Sequence, residues 1–241
     1  TTMSNTLILS NTPGSAAETA LSNQYRKISI TAGLLYILTF ISIPTGWLYG
    51  PVHDPNFIMS NGNDHAIITG GLLEITVALA GIATAVVLYP VLKKQNGTMA
   101  LGLVAARILE AATIFVGVAF LLALVSLHQQ GAGKDALITS RVLVALYDRI
   151  FLLGQSFIPA INDLLLGILF YKSRLVPRAL SLIGIAGALP LLAGYIAVMF
   201  GFIDRISVWA GLSALLVAVF EFSLGVYLVM KGFKKPNYIK E

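Results

Sequence analysis

The chain has 241 residues, of which 57% are hydrophobic and only 11% are charged, and its mean hydropathy is +0.84. Soluble domains carry about 25% charged residues, so the composition excludes a soluble globular protein and predicts an integral membrane protein. The absence of cysteine excludes disulfides, thiol nucleophiles and cysteine metal sites, and the net charge of +5 fits the basic loops of a membrane protein better than a nucleic-acid partner.

The first 25 residues are polar and hold a single charged residue, Glu18. They lack the basic start and cleavage site of a secretory signal peptide, and we interpret residues 1–25 as a cytoplasmic tail. A transmembrane domain is expected over residues 26–233, and a short basic tail over residues 234–241. Because free polar tails are usually disordered unless something holds them, the N-terminal tail is a candidate contact for another membrane protein.

Six apolar runs are long enough to cross a bilayer, which takes about 20 residues in a helix. The predicted architecture is an all-α polytopic membrane protein, a six-helix transmembrane bundle. The segment DALITSRVLVAL, before the fourth run, either lies on the membrane surface or extends that helix. The runs cover approximately residues 28–50, 66–92, 99–127, 147–171, 179–203 and 207–230.

The basic residues outside the runs are distributed unequally between the two sides of the predicted bundle. The side that holds both termini has eleven lysines and arginines, whereas the other side has only Lys134, Arg141 and Arg205. Positively charged loops remain in the cytoplasm, so both termini are predicted to be cytoplasmic. We call the side of the termini the inner side and the opposite side the outer side.

Three prolines, Pro44, Pro159 and Pro190, fall inside predicted spans. Each should kink or locally open its helix, because proline has no backbone N–H to donate. Two interpretations remain open from the sequence. Neighbouring helices absorb the kinks, or the kinks shape a cavity.

Six polar residues lie deep inside the spans and form the candidate site for a ligand or a proton. Two of them, Glu74 and Glu221, lie on helix faces that also carry small residues. Small residues allow neighbouring helices to approach closely, so these two faces should point into the bundle. Counting 1.5 Å per residue places Arg107 roughly 12 Å from the inner end of its span. By the same count, Asp163 and Glu221 fall within about 2 Å of the depth of Arg107. The candidate residues are Glu74, Arg107, Glu110, Asn162, Asp163 and Glu221.

The charges of this set do not balance, because four acids accompany a single arginine. Four carboxylates cannot all stay ionised around one cation in a medium of low dielectric constant, so a proton or a bound cation must neutralise the excess. A simpler alternative is that Arg107 only ties helices together through ion pairs with Glu110 or Glu221. Asp163, in turn, could simply form a hydrogen bond to a neighbouring helix.

The three histidines, His53, His65 and His128, all fall on the outer side. Their spacing is not that of a zinc site, so no metal site is predicted. The sequence has no recognisable serine-nucleophile motif, phosphate-binding glycine loop or pair of haem-ligating histidines, and no cofactor is predicted.

Several stretches resemble a family of bacterial six-span membrane proteins, the domain of unknown function four-three-eight-six. The resemblance extends over about residues 25–233 and implies the same six-span fold and a location in the bacterial inner membrane, but no activity. It also implies that Asp163 departs from the family pattern. The resembling stretches are TGWLYGPV (45–52), LLEITVALAGIATAVVLYPVLKKQN (72–96), ARILEAATIFVGV (106–118), DRIFLLGQSFIPAINDLLLGILFYKSRLVPRAL (148–180) and FEFSLGVYLVMKGF (220–233). The positions that match the family's polar residues are Glu74, Arg107, Glu110, Asn162, Arg178 and Glu221.

Three functions remain open from the sequence. The favoured one is a membrane protein whose buried Arg/Glu site binds or moves a small ligand or a proton. The second is an accessory subunit that contacts other membrane proteins through small-residue helix faces and the N-terminal tail. The third is an intramembrane enzyme in which a buried carboxylic acid protonates a lipophilic, isoprenoid-like substrate. Whether the chain is an enzyme is left undecided.

Overall fold

The computed structural model describes residues 13–60 and 62–234, which form helices joined by short connections. Residues 13–25 of the predicted N-terminal tail belong to the first helix, and residues 1–12 and 235–241 lie outside the described residues. Short 3-10 helices lie at Phe40–Ser42, Gly50–His53, Phe57–Met59 and Gly133–Ala136, and a π-helical turn spans Leu153–Phe157. The α-helices are α1 (Pro13–Thr39), α2 (Thr45–Leu48), α3 (Asp64–Leu92), α4 (Gly97–Gln129), α5 (Leu137–Leu152), α6 (Ile158–Ser173), α7 (Arg178–Met199) and α8 (Val208–Met230).

Five of the six predicted spans correspond to helices that are long and apolar enough to cross a membrane. The predicted fourth span lies in a continuous helical segment that consists of α5, the π-helical turn and α6. The sequence left two placements open for the segment DALITSRVLVAL. Since α5 begins at Leu137, this segment extends the helix of the fourth span. The chain is therefore an all-α polytopic membrane bundle, as predicted.

Side-chain caps mark the start of three of the long helices. Asn63, Asn96 and Ser207 each precede a helix and accept a hydrogen bond from a backbone N–H in its first turn. The first N–H groups of a helix have no partner within the helix, so asparagine and serine stabilise these starts. The caps set where α3, α4 and α8 begin.

Two of the three prolines in the spans coincide with interruptions. Pro44 lies between the 3-10 turn after α1 and the short helix α2, so the first span is broken near its outer end. Pro159 follows the π-helical turn and has no N–H for the carbonyl of Gln155, four residues earlier, which favours the wider turn there. Pro190, by contrast, lies inside an uninterrupted α7.

The spanning segments close into a ring around a common interior. Segments that follow one another in sequence pack side by side, and α8 returns to pack against α1. The backbones of α1 and α8 approach closely at Gly33 and Gly225, where a Cβ atom on Gly33 would lie 2.6 Å from the Gly225 carbonyl oxygen. Glycine at this crossing allows the ring to close.

The interior of the ring is layered from the inner to the outer side. Large apolar side chains fill the inner half, among them Leu88, Leu103 and Phe170. A second apolar cluster, which includes Phe57 and Leu124, fills the outer part between α2, α3, α4 and α5. The buried residues Arg107, Asn162 and Asp163 lie between these two layers.

Candidate functional site

Arg107 on α4 joins carboxylates from two helices. Its Nη1 donates to Glu110 Oε2 at 2.9 Å, and its Nη2 donates to Glu221 Oε1 on α8 at 2.5 Å. Asn162 on α6 donates its Nδ2 to the same Glu110 oxygen at 2.7 Å. We call Arg107, Glu110, Asn162 and Glu221 the central cluster; it connects three spanning segments.

The two glutamates of the central cluster keep one free oxygen each. Within residues 13–60 and 62–234, neither Glu110 Oε1 nor Glu221 Oε2 accepts a hydrogen bond. Their side chains are 13% and 17% exposed, whereas that of Arg107 is 5% exposed. The guanidinium also lies 5.8 Å from the ring centroid of Tyr36 on α1, within cation–π range. Both terminal nitrogens of the guanidinium are thus engaged by carboxylates, while each carboxylate keeps an oxygen that is free to accept.

Asp163 on α6 is fully buried and stands apart from these bonds. Neither oxygen of its carboxyl group has a hydrogen-bond partner in the described part of the chain, and the same holds for Arg107 Nε and Asn162 Oδ1. Asp163 therefore lies inside the bundle, but within the described residues it does not form the hydrogen bond to a neighbouring helix that the sequence offered as an alternative.

Glu74 belongs to a separate cluster. Its side chain accepts hydrogen bonds from Tyr49 at 3.3 Å, from Tyr147 at 3.1 Å and from Gln155 at 3.2 Å. Glu74 is 2% exposed, and none of the described basic residues forms an ion pair with it. The partners of Glu74 therefore differ from those of Arg107: they are neutral donors from α5, from the π-helical turn and from Tyr49, which follows α2. That Glu74 and Arg107 serve the same ligand or proton site stays a prediction.

A cavity of about 250 Å³ lies beside the central cluster. Arg107, Glu110 and Glu221 form its polar wall, and most other lining residues are apolar side chains from α3, α4, α7 and α8. Gln155 lines the same cavity while it donates to Glu74. The π-helical turn therefore places one side chain between the cavity and the Glu74 cluster.

A third group of charges lies on the outer side. Arg205 Nη2 lies 2.6 Å from Asp148 Oδ1, and His53 Nε2 lies 3.2 Å from the same oxygen. His53 Nδ1 lies 3.2 Å from the Tyr49 carbonyl oxygen. The hydrogen bond with Asp148 raises the pKa of His53 above its ordinary value. We call His53, Asp148 and Arg205 the outer clasp.

The other predicted residues lie away from the cavity. His128 contacts Asp64 at 2.9 Å, and across residues 13–60 and 62–234 there is no group of three or more residues suited to hold a metal ion. Arg178 begins α7 and lies 5.1 Å from the ring centroid of Tyr171 at the inner side. Neither residue contributes to the central cluster.

Sequence reasoning missed the two tyrosines that bind Glu74. Tyr49 and Tyr147 are 4% and 3% exposed, yet both fall near the outer ends of spans, where tyrosine usually anchors a helix at the membrane surface. No signal in the sequence separates a buried tyrosine from such an anchor. The outer clasp was missed as well, because it joins parts of the chain that are far apart in sequence.

Comparison with known proteins gives one match. A family model described as Domain of unknown function (DUF4386) matches residues 31–232. No curated protein and no solved structure matches the chain.

Proposed function

The chain belongs to the DUF4386 family, and for this member we propose that the central cluster binds a proton and moves it across the membrane. The observation that carries the proposal is that Glu110 and Glu221 share one guanidinium at the wall of a cavity. A protein that only needed to hold its helices together would gain nothing from the second carboxylate, because an unbalanced buried charge is costly.

The charge balance favours a cation over an anion. Arg107 compensates one of its two carboxylate partners, so the ionised cluster carries one excess negative charge. Both terminal nitrogens of the guanidinium already donate to these carboxylates, and an anionic ligand would add a further negative charge to a cluster that is already negative. A proton on one of the free carboxylate oxygens neutralises the cluster without any rearrangement.

The surroundings of the cluster favour exchange with the outer side. The cavity extends from the cluster toward Ser42 and Ile43 at the broken outer end of the first span. In the opposite direction, the apolar inner layer around Leu88, Leu103 and Phe170 separates the cluster from the inner surface. Movement of a proton across the membrane therefore requires this inner layer to open.

The small-residue faces do not favour the accessory-subunit alternative. Ala78 and Ala85 on α3 are buried inside the chain, and Gly225 packs against Gly33 of α1. The faces that suggested contact with other proteins are thus used within the bundle itself.

The test is proton flux into proteoliposomes that contain a pH-sensitive dye, driven by a potassium diffusion potential. We expect flux with the native chain and a loss of at least about tenfold in Glu110→Gln and in Glu221→Gln, since each removes an ionisable oxygen from the cavity wall. Asp135→Asn is the matched control, because Asp135 is exposed in an outer connection. Flux that is absent from the native chain, or unchanged in both variants, contradicts the proposal.

A further inference from the structure

We infer that the cavity beside the central cluster takes a small amphipathic organic cation, with an apolar body and a protonated amine, in exchange for the proton. The inference rests on the proposed function and names the substrate class of the same site. The proton and the amine are alternatives because the excess of one negative charge can be neutralised by either of them.

The volume and the wall residues of the cavity determine the size and the apolar character of the part of the ligand that lies away from its amine. A cavity of about 150 Å³ holds benzene, so the 250 Å³ found here accommodates about ten non-hydrogen atoms. Away from the cluster, the walls consist mainly of apolar side chains such as Ile114, Leu191 and Val217. An apolar body gains free energy by filling such a space, because its apolar surface is removed from water.

The polar end of the cavity determines the head group. Glu110 Oε1 and Glu221 Oε2 are free to accept hydrogen bonds, while the terminal nitrogens of Arg107 each donate to the other oxygen of one of these carboxylates. An ammonium group has three donors and one positive charge, so it supplies the donors and the charge that the two carboxylates lack. A neutral alcohol supplies a donor without the charge, and a carboxylate supplies neither.

The opening of the cavity determines the route. Ile43 lines the cavity and is 63% exposed, so the cavity reaches the surface of the bundle at the break that follows α1. This position lies within the candidate membrane span Thr19–Leu48. A ligand that dissolves in the outer half of the bilayer therefore meets the opening directly, which agrees with an amphipathic molecule.

The experiment uses three probes of nearly equal size: phenethylamine, phenethyl alcohol and phenylacetate. Calorimetric titration of the purified full chain in detergent is expected to show that the amine binds at least about tenfold more tightly than the alcohol. Phenylacetate is expected not to compete with the amine. Repeating the titration in buffers of different ionisation enthalpy is expected to show release of about one proton per amine bound.

Two variants test the location without touching a charge. Ala218→Leu places a larger side chain in the cavity wall and is expected to weaken amine binding about tenfold or more. Val219→Leu is its control on the same helix, because Val219 is exposed on the outside of the bundle. Equal effects of the two substitutions overturn the location.

The outcomes separate this inference from the proposed function. If the amine fails to bind, or binds no better than the alcohol, while proton flux persists, the inference is overturned and the proposed function stands. Amine binding without proton release overturns the exchange. Absence of flux from the native chain overturns the proposed function, whatever the calorimetry shows.

Discussion

Arg107 is the residue on which the arrangement of the central cluster depends. It is almost fully buried, and its ion pairs reach Glu110 on its own helix and Glu221 on α8. Removal of the cation from such a set leaves uncompensated buried charge, which costs about 3–5 kcal/mol. Neutral replacement of all members of a buried ion-pair network, in contrast, is often tolerated.

We therefore expect Arg107→Leu to destabilise the protein by about 3–5 kcal/mol. The triple variant Arg107→Leu, Glu110→Gln, Glu221→Gln should regain much of this loss, because it leaves no ionised carboxylate of the central cluster without its cation. Thermal unfolding in detergent measures both effects. Arg141→Leu is the control, since Arg141 is exposed and forms none of the ion pairs among the described residues. A triple variant no more stable than the single one contradicts this account.

At the scale of helices, the contact between α1 and α8 closes the ring. A Cβ atom on Gly33 would meet backbone atoms of α8, the Gly225 oxygen at 2.6 Å and the Val229 nitrogen at 2.9 Å. Backbone atoms cannot move aside as side chains do, so any larger residue forces the two helices apart. The cavity wall would change too, because Glu221 lies one helical turn from Gly225.

Gly33→Ala is accordingly expected to lower stability by about 1–3 kcal/mol, the usual cost of overpacking. The same substitution at Gly46 is the control, because nothing lies within 4 Å of a Cβ atom there. Thermal unfolding of the two variants side by side measures the difference. Equal stability of Gly33→Ala and Gly46→Ala would show that α1 and α8 are not tightly packed at this crossing.

Some elements of this bundle can be predicted from the sequence, and others cannot. Length and hydropathy predict the spans, because twenty or so apolar residues have few alternatives to a membrane helix. The ion pair of Arg107 with Glu110 follows from the i, i+3 spacing, and the one with Glu221 follows from depth counting along straight helices. Depth counting fails for Tyr49, which follows the broken end of the first span. It also cannot predict the π-helical turn that positions Gln155, since a single wider turn leaves little trace in the hydrophobic period.

At the scale of the whole molecule, the outer clasp joins three distant parts of the chain. His53 ends the 3-10 helix after α2, Asp148 lies on α5, and Arg205 lies in the connection between α7 and α8. His53 Nε2 lies 3.3 Å from Arg205 Nη2 and 3.2 Å from Asp148 Oδ1. A neutral histidine with a bare Nε2 accepts from Arg205, whereas a protonated one donates to Asp148. The protonation of His53 therefore selects which partner it binds.

The outer clasp should consequently be strongest at acidic pH. The hydrogen bond with Asp148 raises the pKa of His53 above its value in the unfolded chain. Protonated His53 thus stabilises the fold fully below about pH 6.5, and this contribution is lost as the pH rises through the folded pKa. Because the pair of His53 and Asp148 is partly exposed, we expect it to contribute less than about 1 kcal/mol to the free energy of unfolding.

Two measurements check this expectation. Titration of the histidine ring signals by NMR should show that Asp148→Asn lowers the pKa of His53, whereas Asp135→Asn leaves it unchanged. Thermal unfolding should show that the native chain is more stable than His53→Gln at acidic pH and that the difference shrinks as the solution becomes alkaline. A difference that grows with pH would mean that neutral His53, bound to Arg205, is the stabilising form, and acidification would then loosen the outer side of the bundle above the cavity.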